Sequence, residues 1–238
     1  MIDLHCHLLH GIDDGPNTLE ESLELCRIAV ADGITQAIVT PHIHPGRWKN
    51  TRTSIEEACG NLRQMLIGLE IPLQLGFAGE VRLTDRLVQH LAEDEIPFLG
   101  QMDGYKILLL EFPHSHVIPG SEKLAKWLLN HGIRPLIAHP ERNKQIMRDV
   151  SLLQPFIDLG CWLQVTAGSV MGLFGAKSQS ISHQLLQSDR VTVLASDGHN
   201  ARARPPVLSP TFAHVARQYG MERAQRLMLD TPAAIIRC

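Results

Sequence analysis

The sequence predicts an α/β fold in which parallel strands and helices alternate around a seven-stranded (β/α)7 TIM-like barrel. Three observations lead there. Short apolar runs alternate with amphipathic stretches along the chain, the pattern of a parallel sheet with helical crossovers. Seven such units fit into 238 residues with no repeat, low-complexity tract or linker-like run. One domain spanning 1–238 is therefore expected, closed rather than an open doubly wound sheet. No G-x-G-x-x-G or G-x-x-x-x-G-K-[ST] follows a strand, so neither phosphate-loop fingerprint of the open α/β folds is available.

In chain order, strands are expected at 2–4, 36–40, 73–77, 107–110, 134–138, 162–165 and 192–195. The first helix, 18–31, opens with a cap signal at Asn17 and Thr18 and places Glu20 and Glu21 in its first turn. Its Leu19, Leu23, Cys26, Ile28 and Val30 recur at roughly helical spacing, and this amphipathic stretch offers a face on which a homo-oligomer could form. Helices are expected next at 53–66, 84–92, 121–130, 145–159 and 180–187. The end of the chain reads as helices 207–219, 221–229 and 231–236, with breaks at Gly220 and Pro232. Segments 47–52 and 101–106 show no pattern that assigns them.

Lys and Arg number 22 against 25 Asp and Glu, a net charge of −3, which disfavours a nucleic-acid binder built on a basic surface. No run approaches the ~18 apolar residues of a membrane helix. The opening MIDLHCH lacks a basic start and an apolar signal core, so a cytoplasmic protein without stable membrane insertion is expected. The five cysteines (6, 26, 59, 161 and 238) are scattered, form no C-x-x-C, and read as reduced thiols.

Thirteen histidines are the outlying number. Many of them follow the expected strands together with acids. His5, His7, Asp13 and Asp14 follow the first strand, His42 and His44 the second, Glu80 the third and Glu111 the fourth. His139, Glu141 and Arg142 follow the fifth, and Asp197, His199, Arg202 and Arg204 the seventh. In a β/α barrel the strand C-terminal ends converge on one face, so these residues would meet. Alternate residues of a strand face the same way, so His5 and His7 can address one ion while Cys6 points into the core.

Nine candidate ligands (His5, His7, Asp14, His42, Glu80, Glu111, His139, Asp197 and His199) exceed one coordination sphere and suit two or three ions bridged by a carboxylate. Imidazole and carboxylate without thiolate suit Mn, Fe or Zn. The four carboxylates among them would leave three divalent ions with net positive charge. Rimmed by Arg47, Arg142, Arg202 and Arg204, such a centre would attract a phosphate. Asp13 is read as serving its turn, Glu141 as a salt-bridge partner of Arg142, and His10 and His44 as unassigned candidates for proton delivery.

Taken together, MIDLHCHLLHGIDDGP, the TPH at 40–42, AGEVR at 78–82, LLLEFP at 108–113, IAHPER at 137–142 and SDGHNARARPP at 196–206 resemble the polymerase and histidinol phosphatase (PHP) superfamily. More narrowly, they resemble the bacterial tyrosine-protein phosphatases of capsule and exopolysaccharide operons. The resemblance runs from Met1 to at least Pro206. It implies a distorted seven-stranded barrel, the PHP fold, with three divalent metal ions, commonly manganese. It would place His5, His7, Glu80 and Asp197 on one ion, with Glu80 bridging to a second that Glu111 and His139 complete. Asp14, His42 and His199 would hold the third, and Arg142 and Arg204 would be the catalytic arginines that grip phosphate.

The implied activity is hydrolysis of phosphotyrosine, by metal-activated hydroxide attack, in the tail of a tyrosine autokinase of the polysaccharide export system. The alternative within the superfamily is a phosphatase of a small phosphomonoester such as histidinol phosphate. No cysteine has arginine six residues later, so the C-x5-R loop of thiol-based tyrosine phosphatases is absent. Glu111 stands where amidohydrolases often carry a carbamate-forming lysine, which counts against that class. Met171, Leu173 and Phe174, in an apolar loop after the sixth strand, are read as a lid, as contacts to a tyrosine ring, or as contacts to a neighbouring subunit.

Overall fold

Each of the seven apolar runs forms a strand, and the pairing is overwhelmingly parallel. The structure is a computed structural model describing residues 1–237; the thiol of Cys238 lies outside the described residues. Strands β1 (Ile2–Cys6), β2 (Gln36–Val39) and β5 (Gln74–Phe77) form one parallel sheet in that order. The second sheet runs β11 (Val193–Ala195), β10 (Trp162–Thr166), β9 (Ile133–Ala138), β8 (Tyr105–Glu111), β6 (Glu80–Arg82), β3 (His42–His44) and β4 (Trp48–Lys49). Strand β7 (Gly100–Met102) pairs with β8 at its side. Among the described residues only β3–β4 and β7–β8 pair antiparallel. The result is a mixed α/β fold organised by parallel strands.

Side chains on the two faces of the strands enter two cores. Leu4, Ile38, Ile107, Leu109, Leu136, Ala138, Val193 and Ala195 form one cluster with Leu99 and Ile235. Their strand neighbours Val39, Leu108, Leu110, Ile137, Val165 and Leu194 belong to a larger cluster that the helices cover. This is why the runs read as continuously apolar rather than alternating: both faces are buried. Each fully buried Leu or Ile contributes about 1.5–3 kcal/mol.

Helices start where capping chemistry allows. Thr18 and Glu21 close a capping box ahead of α1 (Leu19–Ala31), and Thr51 with Ser54 do the same for α2 (Arg52–Gly68). The remaining crossover helices are α3 (Leu87–Ala92), α4 (Ser121–Asn130), α5 (Gln154–Leu159), α6 (Ala167–Val170) and α7 (Ala176–Gln187). The chain ends in α8 (Ser209–Tyr219), α9 (Met221–Gln225), a π-helical turn at Arg226–Asp230 and α10 (Thr231–Ile236).

One helix needs correction, two strands have continuations that were not expected, and the two unassigned segments take defined structure. The strands expected at 36–40 and 73–77 form as β2 and β5, and after Pro41 and after Ala78–Gly79 the chain continues into the short strands β3 and β6. The ladder crosses the kink through Ala78 N–H to Val39 O (2.9 Å) and Glu80 N–H to Pro41 O (3.1 Å). The helix expected at 145–159 shrinks to a 3-10 turn, Val150–Leu153, and α5. Asn143 Oδ1 accepts from the Gln145 and Ile146 N–H groups, and Asp149 Oδ1 from Ser151, so side chains replace helical partners. The unassigned segment 101–106 is a hairpin turned at Asp103-Gly104, both at positive φ (53° and 80°), the two-residue turn that Asp-Gly favours. The other unassigned segment, 47–52, supplies β4 and the first cap of α2.

Candidate metal centre

Strand β1 delivers two imidazoles to one point: the Nε2 atoms of His5 and His7 lie 3.3 Å apart and both residues are fully buried. Between them Cys6 faces the core, its Sγ on Ile38 O. The outer nitrogen of each imidazole is occupied. Gln164 Oε1 on β10 meets His5 Nδ1 at 2.9 Å, and Asp13 Oδ2 meets His7 Nδ1 at 2.7 Å. That leaves both Nε2 atoms facing inward, as metal-ligating histidines require.

Glu80, fully buried at the start of β6, is the hub. Its Oε2 lies 3.3 Å from His5 Nε2, 3.3 Å from His7 Nε2 and 2.9 Å from His42 Nδ1. Its Oε1 lies 2.7 Å from His139 Nε2. Asp197 Oδ1 approaches His5 Nε2 at 3.3 Å, while its Oδ2 accepts from Arg142 Nη1 and, at 2.6 Å, from Arg204 Nη2. Asp14 Oδ1 sits 3.2 Å from His42 Nε2 and 3.5 Å from His199 Nε2. Glu111, at the end of β8, is held by Arg82 Nε at 3.0 Å and faces His42 Nδ1 at 3.8 Å.

Two of these residues sit on strained backbone. His139 (φ 32°) and Asp197 (φ 52°) are non-glycine residues in the left-handed region, which costs on the order of 1–3 kcal/mol each. Asp3 braces the second: its carboxylate accepts from Ser196 N–H at 3.0 Å and Ser196 Oγ at 2.5 Å.

All nine predicted ligands meet here, in four overlapping groups whose donor atoms lie within 4.8 Å of one another. These are His7, Asp14, His42 and His199; His5, His7 and Glu80; His5, His139 and Asp197; and His42, Glu80 and Glu111. The residues fit divalent cations on a second count. Buried His42 Nδ1, Glu80 Oε2, Glu111 Oε2, Asp197 Oδ1 and His199 Nε2 have ionic neighbours but make no well-aligned hydrogen bond, which leaves their lone pairs to a cation. Burial, helped by Arg142, pushes His139 down to about 4, and burial, helped by His7, does the same for His199. Burial therefore favours the neutral imidazole in both. Burial also works against charge on His7, but Asp13 outweighs it and raises that group to about 9. Burial and the Glu80 charge raise Glu111 to about 7.

The cavity over this cluster measures about 170 Å³ and is lined by Asp14, His42, Glu80, Glu111, His139, Asp197 and His199, with Arg47, Arg82, Arg142, Arg204, Trp48 and His114. Arg202 stays outside it, exposed on the wall of a neighbouring hollow. His10 is exposed, and His44 lies 6.0 Å from Trp48, outside the lining. Asp13 does serve its turn, accepting from Gly15 N–H at 2.9 Å, but it also orients His7 and accepts from His42 N–H at 3.1 Å. Glu141 makes hydrogen bonds instead of the expected salt bridge: Oε1 accepts from Thr166 N–H (3.1 Å) and Ser169 Oγ (2.7 Å).

The sequence reading missed Gln164, Asp3, Arg82 and Trp48, whose ring stacks on His42 at 4.7 Å. Asp3 and Gln164 did carry a signal, since each is a polar residue inside an apolar strand run.

Comparison with known proteins agrees with this geometry. The profile of a family described as capsular polysaccharide synthesis, CpsB/CapC, matches residues 1–237. Tyrosine-protein phosphatase YwqE of Bacillus subtilis is 36% identical over 222 residues, covering 93% of this chain and 86% of the relative. Tyrosine-protein phosphatase CpsB of Streptococcus pneumoniae is 30% identical over 242 residues, 99% of this chain and 98% of the relative. A solved structure described among "YwqE from Bacillus subtilis and CpsB from Streptococcus pneumoniae, unique metal-dependent tyrosine phosphatases" superposes with a TM-score of 0.91 at 34% identity, over 100% of this chain and 94% of that one. The lactonase Lmo2620 of Listeria monocytogenes shares the fold (TM-score 0.55, 12% identity, 99% and 94% covered).

Proposed function

Because the chain belongs to the CpsB/CapC family of capsular polysaccharide synthesis, we propose that it is a metal-dependent protein-tyrosine phosphatase acting in that process. The observation that carries this reading is the convergence of nine imidazole and carboxylate ligands beneath two arginines in one small cavity. The relatives are tyrosine-protein phosphatases, which disfavours the alternative of a small phosphomonoester such as histidinol phosphate.

We infer three divalent ions, with manganese first among Mn, Fe and Zn. The ligand sets are His5, His7, Glu80 and Asp197; Glu80, Glu111 and His139; and Asp14, His42 and His199. The group of Asp14, His42 and His199 with His7, and that of His5 and His7 with Glu80, support the outer two sets. Bound there, such ions would supply Lewis-acid polarisation of phosphoryl oxygens and lower the pKa of water for an in-line displacement.

The chain's own residues do the rest. Arg142 and Arg204 bind the phosphoryl oxygens and stabilise the charge that develops on them. Their shared hold on Asp197 fixes both guanidinium groups beside the cavity before substrate arrives. Arg82 fixes Glu111, while Asp13 and Gln164 fix His7 and His5.

The two sheets are read as one distorted seven-lane barrel in a single domain over 1–238. The runs of β2 into β3 and of β5 into β6 support this, as do the His7 N–H to Gly198 O and Asp197 N–H to His5 O bonds that link β1 to the segment after β11. The phosphotyrosine tail of a tyrosine autokinase of the polysaccharide export system is the proposed substrate. A cytoplasmic location suits it. No described helix is long and apolar enough to cross a membrane, and Cys6, Cys26, Cys59 and Cys161 are free and buried.

The test is phosphate release from a phosphotyrosine peptide by metal-stripped protein, with and without added manganese, beside histidinol phosphate. Manganese-restored release that favours the peptide is expected. No release with any divalent ion would refute the reading.

A further inference from the structure

Phe174 borders the cavity through two of its lining arginines. Its ring lies over Arg142 (4.3 Å from Cζ to the ring centroid) and over Arg204 (5.8 Å), the two cations assigned to the phosphoryl group. It is half-buried, and its loop neighbours Met171 and Leu173 are exposed, 41% and 62%. Phe174 thus sets an apolar surface against two arginines of a cavity whose lining, Trp48 apart, is ionisable.

The loop is built to hold its position. Leu173 N–H bonds Gly168 O (2.9 Å), Gly172 N–H bonds Ser169 O (3.1 Å), and Gln179 Nε2 bonds Val170 O (3.2 Å). Ser169 is in turn anchored to the buried Glu141 at 2.7 Å. The loop also needs a glycine beneath it: a Cβ on Gly168 would meet Leu173 Cδ1 at 3.0 Å and Phe174 Cε2 at 3.1 Å. Trp48, which does line the cavity, is already engaged by His42 (4.7 Å) and by the Arg47 guanidinium (3.9 Å).

We propose that Phe174 is the specificity element that receives the phenyl ring of the substrate. On this assignment it makes the enzyme select aryl over alkyl phosphate esters. The inference rests on the phosphatase reading above and deepens it. In an aryl phosphate the ring is one bridging oxygen from phosphorus. A phosphoryl group held by Arg142 and Arg204 therefore places that ring against whatever apolar surface borders the two guanidinium groups, and Phe174 is that border. A serine phosphoester presents only a methylene there and gains little from the Phe174 ring. Aromatic pairs prefer edge or offset contact, and the half-buried ring of Phe174 offers it.

The test compares wild type, Phe174→Ala, Phe174→Leu and Phe174→Tyr, all manganese-loaded. Two readouts are taken: calorimetric affinity for phenylphosphonate against methylphosphonate, and kcat/KM for a phosphotyrosine peptide against the same peptide with phosphoserine. The aryl-to-alkyl ratio should fall roughly three- to tenfold in Phe174→Ala, fall part of the way in Phe174→Leu, and stand near wild type in Phe174→Tyr. Parallel loss of both ligands would mean that the ring only props the arginines, and would overturn the proposal, as would an unchanged ratio. Wild type that binds phenylphosphonate selectively yet hydrolyses neither peptide would overturn the phosphatase reading and leave the aryl preference standing. Wild type that shows neither selective binding nor hydrolysis would sink both.

Discussion

Replacing Asp13 with alanine separates a turn residue from a residue that builds the metal centre. Its carboxylate makes three contacts: Oδ1 with Gly15 N–H (2.9 Å), and Oδ2 with His42 N–H (3.1 Å) and His7 Nδ1 (2.7 Å). The first is local. The other two set the orientation and basicity of His7 and the path of the strand that carries His42. Loss of a carboxylate that orients a ligating histidine typically weakens metal affinity about 10- to 100-fold, or about 1.4–2.7 kcal/mol. Asp13→Asn keeps an oxygen acceptor but not the charge, so it should fall between wild type and alanine. The assay is calorimetric titration of manganese into stripped protein, with phosphotyrosine-peptide hydrolysis followed against manganese concentration. The rate curve of Asp13→Ala should shift to higher metal and recover as metal is raised. If melting temperature drops while manganese affinity stays at the wild-type value, Asp13 only shapes the turn and the argument fails.

Other outcomes follow from the same geometry. Arg142→Ala and Arg204→Ala should each lose about 10²–10³ in kcat/KM with metal content retained by elemental analysis; full activity in either would remove it from phosphate binding. Metal uptake by stripped protein at pH 7.5 should release protons, because His7, raised to about 9, and part of Glu111, near 7, carry protons that a cation displaces. Titrations in buffers of different ionisation enthalpy count them, and none released would contradict the assignment of these ligands. Chelation should lower the melting temperature by roughly 5–10 °C relative to protein at 100 times the dissociation constant of its metal, and an unchanged melt would mean that the ions do not bind the folded chain. Gly198→Ala should destabilise by about 1–3 kcal/mol in denaturant titration and impair metal binding, since its Cβ would meet Pro206 Cα at 2.7 Å between Asp197 and His199; wild-type stability would show that the 196–206 loop yields freely.

The strands were legible as short, mainly apolar runs, and the convergence of the candidate ligands because six of the seven strand ends carried imidazole or carboxylate. What stayed illegible depends on side chains bonding to backbone over short range. Nothing periodic in 145–159 betrays that Asn143 and Asp149 will take over the partners of a helix. The Asp103-Gly104 hairpin did carry its signal, because Asp-Gly tolerates two positive φ values, but it lies in a polar stretch too short to show alternation. Gln164 and Asp3 are legible only as misfits, polar residues in the middle of buried strands, and their partners are set by tertiary contact.

The two kinks deserve the same physical treatment, because they explain why the metal cluster is deep. Had the chain left for a loop after β2 and β5 instead of continuing into β3 and β6, His42 and Glu80 would lie above the sheet. Instead Pro41, which has no N–H to donate, and Gly79, whose missing Cβ leaves room for Ile43 Cδ1 (2.5 Å from where it would sit), bend the chain without breaking the parallel ladder. His42 and Glu80 therefore open the paired strands β3 and β6, in register with each other. A carboxylate fixed there is fully buried among four imidazoles, and no loop could hold it so without a second set of backbone partners. The depth of Glu80 is thus a property of strand continuity, and Gly79→Val, which would push Ile43 aside, should loosen the whole cluster although it touches no ligand.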